Sequence, residues 1–258
     1  FRKEHIQDTN PGILDSAIPA VWRNPENYGA GYNWYDAMLR VAPTSNVSVA
    51  LTSGGEKVST AAVLGYFDQD GVVLNSGFKR YTFRSNTNFN ISNRVKAGVN
   101  IAPSYSTGNE QGTDGANYAF IFGAPSPGGL LSQASQQNPI INFKNEDGSY
   151  PAIVYTPNTV SVLNGTLNPT NNLIYRVLQT TNETKQTRVL SNAFVEYEPI
   201  DGLVLKVTAN VDLGSTNYFN FVPSPAVGAP VATSVRRNSN YASWLQENTA
   251  TYTKEFGD

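Results

Sequence analysis

The sequence predicts an all-β protein. It reads as an antiparallel transmembrane β-barrel segment, about seven long meander strands of a larger barrel, with long extracellular loops. Three observations predict this. Apolar and polar residues alternate with a period of two over several runs, which makes strands with one apolar and one polar face. Two of these runs, residues 79–90 and 95–105, are about twice as long as the roughly five or six residues of an ordinary strand. The connections between runs are alternately short and long, so the turns gather at one end and the loops at the other.

Strand length chooses the membrane. At about 3.3 Å per residue and a tilt near 45°, such an arm crosses a hydrocarbon layer of roughly 25–30 Å. The apolar parity would then face lipid and the polar parity the lumen. The competing reading of the same alternation is a secreted all-β module, a carbohydrate-binding or adhesin-like sandwich. It would bury Phe83, Val99, Ile101, Leu205 and Val207 between two sheets.

Residues 1–43 are not strand-like and form an outer-loop segment with short helices. Residues 2–8 suit a short helix ended by Asn10-Pro11-Gly12, and Asn33 is placed to cap a helical turn running to Arg40, with Trp34, Met38 and Val41 on one side. Residues 44–258 form the partial barrel. Its first strand spans 44–53, where Val47, Val49 and Leu51 alternate with Ser48, Ala50 and Thr52. Gly54-Gly55-Glu56 turns the chain into a return strand over 57–68. Both parities of that strand are partly apolar (Ala61, Val63, Phe67 against Ala62, Leu64, Tyr66), so its facing stays open. A loop over 69–77 leads to strand 79–90, with Tyr81, Phe83 and Phe89 against Arg80, Thr82, Arg84, Asn86 and Asn88. The tight turn 91–94 leads to strand 95–105, with Val95, Ala97, Val99, Ile101 and Tyr105 against Lys96, Gly98, Asn100 and Ser104.

A long loop at 108–183 follows, rich in Pro, Gly and Asn and with a short possible strand at 152–156. Loops of this length are functional or disordered, and the aromatics here argue against full disorder. A third hairpin pairs 184–198 with 203–213, whose Leu203, Leu205, Val207, Ala209 and Val211 alternate with Lys206, Thr208, Asn210 and Asp212. A second long loop is expected at 214–240 and a last strand at 241–254. Seven strands are fewer than the eight of the smallest single-chain barrel, and hydrocarbon does not tolerate an open sheet edge, so further strands must complete the wall. The opening Phe1-Arg2-Lys3-Glu4, without an initiator Met or a signal sequence, reads as a piece of a longer protein.

Certain runs also resemble a known family. NVSVALTSGGEKVS, LGYFDQDGVVLNSGFKRYTFRSN and VKAGVNIAPSYS, preceded by RNPENYGAGYNWYDAMLRVAPTSN, resemble the early strands of SusC-like TonB-dependent outer-membrane transporters of the RagA/SusC family. The resemblance is specific over 22–106, persists as pattern through VLSNAFVEYEPIDGLVLKVTANVD, and is not seen at 108–181. It implies location in the bacterial outer membrane and import of oligosaccharides or peptides. A SusD-like surface lipoprotein would serve as lid, and a TonB complex would act through parts of the protein outside this sequence.

Composition agrees and narrows the chemistry. Charged residues make up only 15% of the chain and the net charge is −2, with Lys and Arg scattered, so no nucleic-acid footprint exists. Without Cys no disulfide or thiolate site is available, and His5, the one histidine, lies in a polar leader and reads as a bystander. Asp68-Gln69-Asp70-Gly71 lacks the later ligands of an EF-hand calcium loop, whose twelfth position here is Lys79, and Asn145-Glu146-Asp147-Gly148 reads as a plain turn. Loop carboxylates such as Glu56, Glu110, Glu146 and Glu183 lack a supporting motif, so neither an enzyme nor a cofactor is expected. Tyr66, Phe67, Tyr81, Phe89, Tyr105, Tyr197 and Tyr252, near strand ends, read as interface aromatics. The loop aromatics Tyr118, Phe120, Phe122, Tyr150 and Tyr155 are the candidate contacts for ligand or lid, with packing of the loop on itself as the plainer alternative.

Overall fold

Alternation on both sides of each short turn forces the strands to pair as a meander, and they do. The computed structural model describes residues 29–112, 129–157, 167–223 and 232–255 continuously, with scattered positions before residue 29. Its strands are β1 (Thr44–Gly54), β2 (Val58–Asp70), β3 (Gly77–Ser92), β4 (Val95–Asn109), β5 (Ile153–Pro157), β6 (Leu167–Asn171), β7 (Thr181–Ile200), β8 (Leu203–Val222) and β9 (Thr233–Tyr252). Seven form one antiparallel sheet in the order β1-β2-β3-β4-β7-β8-β9, and β5 and β6 form a separate hairpin. The three short turns fall at one end, as expected. In the last of them Gly202 has φ +82°, and an added Cβ would run into the Thr253 carbonyl, so the turn needs glycine.

The strands outrun the hydrophobic pattern at the loop end. The expected loop at 214–240 is in fact strand on both sides, with Gly214 opposite Tyr241 and Val222 opposite Thr233, leaving a connection of 223–232. The reason is that a period-two signal exists only where the two faces meet different media. Beyond the aromatic row, Ser215, Thr216 and Asn217 are polar on both parities, and backbone pairing continues without alternation. The loop expected at 108–183 likewise contracts to 110–180, because β4 and β7 stay paired from Val95–Tyr197 to Asn109–Glu183.

The sheet is a single layer. Val99, Ile101, Leu205 and Val207 are 41%, 37%, 40% and 48% exposed, and Phe83 is half-buried, so the two-sheet core of a sandwich is not formed over them. The buried apolar core lies elsewhere, at the loop end. It unites Trp34, Met38, Val73, Leu130, Ala134, Ile141, Val154, Leu173, Ile174 and Val177. These come from three helices, α1 (Trp34–Ala37), α2 (Leu130–Ser135) and α3 (Leu173–Gln179), from the residues just after α1 and α2, from β5 and from the β2–β3 loop. Asn33 caps α1, accepting from the backbone N–H of Tyr35 and Asp36 at 3.1 and 3.2 Å. The helix stops at Ala37 rather than Arg40, because Leu39 turns away to bridge Val73. Val41 accordingly is 94% exposed, not part of the packed face. Of the helix expected over 2–8, Glu4, Gln7 and Asp8 are described and helical.

Candidate functional site

Register decides which residues share a face, since directly paired residues of antiparallel strands point the same way. Val49 pairs with Leu64 and Leu64 with Phe83, which settles the facing of β2. Ala62, Leu64 and Tyr66 join the apolar face. Ala61, Val63 and Phe67 belong to the other, where Val63 lies opposite Arg84 and Phe67 opposite Arg80. Phe67 is therefore no interface aromatic. Its ring lies 5.6 Å from the Arg80 guanidinium and 6.1 Å from the Phe78 ring, on the polar side.

The apolar face is bounded by aromatic rows. Tyr66, Tyr81 and Tyr105 form a continuous line at the loop end, with ring centroids 5.0 and 6.4 Å apart. Phe89, Tyr197 and Tyr252 mark the turn end. From Tyr105 to Val95, the partner of Tyr197, ten residues at about 3.3 Å and a tilt near 45° give about 23 Å of height. Between the rows this face carries no charged side chain. The charged residues of its parity, Asp68, Asp70, Lys79, Glu183, Lys185 and Arg236, all lie on the loop side of the tyrosines. There they pair: Lys79 with Asp68 at 3.1 Å, Lys185 with Glu183 at 2.8 Å, and Arg40 with Asp70 at 3.1 Å. Both aspartates of the Asp68–Gly71 stretch are thus held by cations.

The polar face is built differently. Asn86, Asn100, Asn192 and Asn210 align across β3, β4, β7 and β8. The Asn100 side-chain N–H donates to Asn192 Oδ1 at 3.2 Å, and Asn192 donates to Asn210 Oδ1 at 2.6 Å. Next to this ladder Arg188 grips Asp212 with two bonds of 3.0 and 2.7 Å, and the Tyr241 hydroxyl donates to the same carboxylate at 3.2 Å. Lys206 pairs with Glu196 at 2.8 Å and sits 4.3 Å from the Phe194 ring. Two glycines make room for the rings: a Cβ at Gly98 would strike Phe194, and one at Gly214 would strike Tyr241. Arg84, the ladder and Asp212, together with Ala102, Leu190 and Leu245, line a trough of about 410 Å³. The sequence places Arg84, Asn86, Asn100, Lys206, Asn210 and Asp212 on the polar parity without singling out the ladder or assigning a face to Arg188 and Asn192. The signal was four asparagines at the middles of four long strands, which only register brings into one row.

The outer cap holds the residues singled out as ligand or lid contacts, in part. Tyr118, Phe120 and Phe122 lie outside the described residues, and of Tyr155 only the backbone, within β5, is described. Tyr150 is half-buried, stacked on Phe143 with centroids 6.4 Å apart, and Lys144 Nζ lies 5.3 Å from its ring. In the neighbouring turn the Ser149 hydroxyl and N–H bond Asp147, which holds its carboxyl below the usual carboxylate range. The cap is pinned to the wall by Asn75, in the left-handed conformation at φ +56°. Its amide donates to the Val177 and Thr180 carbonyls at 2.8 and 2.9 Å.

No family model matches the chain. Among curated proteins it is similar to TonB-dependent receptor P26 of Formosa agariphila, 30% identical over 265 residues, 99% of this chain and 24% of that receptor. TonB-dependent receptor P3 of the same organism is also 30% identical, over all of this chain and 25% of its own length. The chain thus spans about a quarter of the curated relatives it matches, and the alignments run through the 108–181 region where the sequence alone showed no likeness. Among solved structures it superposes on the RagAB peptide importer in the closed-closed state with a TM-score of 0.69 and 23% identity. That match covers 89% of this chain and 24% of that one. In the open-open state of the same importer the TM-score is 0.67 at 21% identity over 96% of this chain and 27% of that one. A charge-free exterior band between aromatic rows, a polar inner face, and likeness in both sequence and fold converge: the chain is a seven-stranded segment of outer-membrane β-barrel wall, similar in sequence to TonB-dependent receptors.

Proposed function

We propose that this segment is part of an active transporter that imports oligosaccharides or peptides across the outer membrane. In that reading TonB powers import through parts of the protein outside this chain, and a SusD-like lipoprotein closes the outer end. The observation that carries it is the asymmetry of the sheet. Every charged strand residue between the aromatic rows is on one face, which a wall between lipid and an aqueous lumen requires and a water-soluble sheet does not. The relatives' names and the likeness to a peptide importer support the same reading. Residues 1–43 serve as an outer-loop segment ahead of the barrel portion 44–258. With the long 110–180 connection they build the cap, which meets ligand or lid through Tyr118, Phe120, Phe122, Tyr150 and Tyr155. The test is uptake of labelled oligosaccharides and oligopeptides by the native host. Deleting the receptor gene is expected to abolish uptake of one class while leaving the other intact, and deleting tonB to abolish uptake of that same class. Uptake that persists without TonB would overturn the proposal.

A further inference from the structure

The inner face is not merely polar; it is cationic. Between the turns, the strand residues of that parity are Arg80, Arg84, Lys96, Arg188, Lys206 and Arg237, against the carboxylates Glu196, Glu198, Asp212 and Glu247. This positive surplus sits in a chain whose net charge is −2, so it reflects placement and not composition. Two of the carboxylates are already spent on Lys206 and Arg188. Among the described residues Arg84 and Lys96 are exposed and make no ion pair, and Arg80 and Arg237 meet only aromatic rings. Arg84 stands at the rim of the trough, one pairing row from Asn86, the first residue of the asparagine row.

We infer that this trough is a track for anionic oligomers. Resting on the transport reading above, the inference narrows its substrate to chains bearing carboxylate or sulfate groups. Arg84, with Arg80 and Lys96 on either side along the polar parity, supplies unneutralised charge at which the anionic groups are held. The asparagine row supplies alternating N–H donors and C=O acceptors, which suit the hydroxyls of a sugar or the amides of a peptide without fixing either. Arg188 and Lys206 are not part of the charge-reading set, because their charges are already met. A surplus of exposed positive charge on one face of the wall raises the local concentration of anions and loses force as salt rises.

The experiment uses the full-length receptor purified in detergent. Binding is measured by calorimetry at low and high salt for four probes of equal length: trigalacturonate, maltotriose, triglutamate and trialanine. The expected result is tighter binding of at least one anionic probe than of its neutral counterpart, by about tenfold at low salt, shrinking at high salt. Arg84→Gln combined with Lys96→Gln is expected to weaken the anionic probe about five- to tenfold and leave the neutral probes unchanged, whereas Arg84→Lys retains most of the binding. Which anionic probe responds separates sugar acids from acidic peptides. Neutral probes that bind as well as anionic ones would overturn the inference and leave the transport reading intact, which stands or falls on TonB-dependent uptake instead. An unchanged anionic affinity in the double variant would also overturn it and reassign the free cations to the polypeptide that fills the lumen. Heat-modifiable migration on gels confirms that each variant is an assembled barrel.

Discussion

The wall and the cap of this chain are made from similar residues and use them in opposite ways. On the wall, Val207 and Val99, both on inner strands of the sheet, are 48% and 41% exposed. In the cap, Met38 and Ile174 are fully buried and Leu130 and Val177 nearly so. The difference lies in where the apolar partner is. The cap carries its own, drawn from α1, α2, α3, β5 and the β2–β3 loop. The wall's partner is the surrounding hydrocarbon, so its side chains stay outside any core and its backbone is satisfied strand to strand. One chain thus holds a conventional buried core at one end and, at the other, a sheet whose apolar face has no partner within the chain. Each can be broken without the other.

The largest effect is expected in the cap. Trp34 is 2% exposed and meets the Phe143 ring edge-on at 5.2 Å, at the centre of the cluster. Trp34→Ala should cost the cap about 3–5 kcal/mol, the usual range for emptying so large a site. Limited proteolysis of the full-length receptor should then cut within 129–157, while the barrel keeps its heat-modifiable migration. Loss of the barrel together with the cap would show that the two form one cooperative unit.

The next contrast tests the wall. Val207 points to the lipid side and Thr208 to the polar side, opposite Phe194 and Glu247. Val207→Arg should destabilise the assembled barrel by about 1–2 kcal/mol, because Val207 lies two residues inside the turn-end row, between the interface and the bilayer midplane. Thr208→Arg adds the same charge one residue along and should change stability little, with Glu247 across the strand to meet it. Urea titration of receptor refolded into vesicles reads both. Equal effects would mean that the faces are misassigned.

How much of this was legible follows from the same difference. Period-two alternation exposed β1, β3, β4 and the lower half of β8, because lipid and lumen impose opposite demands on successive residues. It failed above the tyrosine row, where Gly214–Val222 and Thr233–Asn240 mix polar and aromatic residues on both parities and so read as loop. It was ambiguous on β2, where Val63 and Phe67 are apolar yet lie opposite Arg84 and Arg80. The cap was nearly illegible. Asn33 announced its helix start through a local capping rule, but the union of Trp34 with Leu130 and Leu173 depends on contacts about a hundred residues apart. The asparagine row was invisible for a related reason: each member is an ordinary polar residue until pairing register places four of them side by side.

The smallest predicted effect concerns the seam where the two regions join. Asn75 is in the left-handed region, its side chain closes the end of α3 through the Val177 and Thr180 carbonyls, and its own carbonyl accepts from Gln111 Nε2 at 3.1 Å and from Asn109 on β4. Backbone conformation and side-chain bonding are separate contributions here, and two substitutions divide them. Asn75→Gly keeps the positive φ without strain and deletes the bonds to α3, for an expected loss of about 1 kcal/mol. Asn75→Ala loses the same bonds and adds the steric cost of an alanine in that conformation, about 1–2 kcal/mol more. Hydrogen exchange should show α3 opening faster in both variants, more so in Ala, with α1 and the strands unchanged. If α3 exchanges at the parent rate in the glycine variant, then the buried cluster of Leu173, Ile174 and Val177 holds the helix by itself, and the cap rests on the wall through packing rather than through this one side chain.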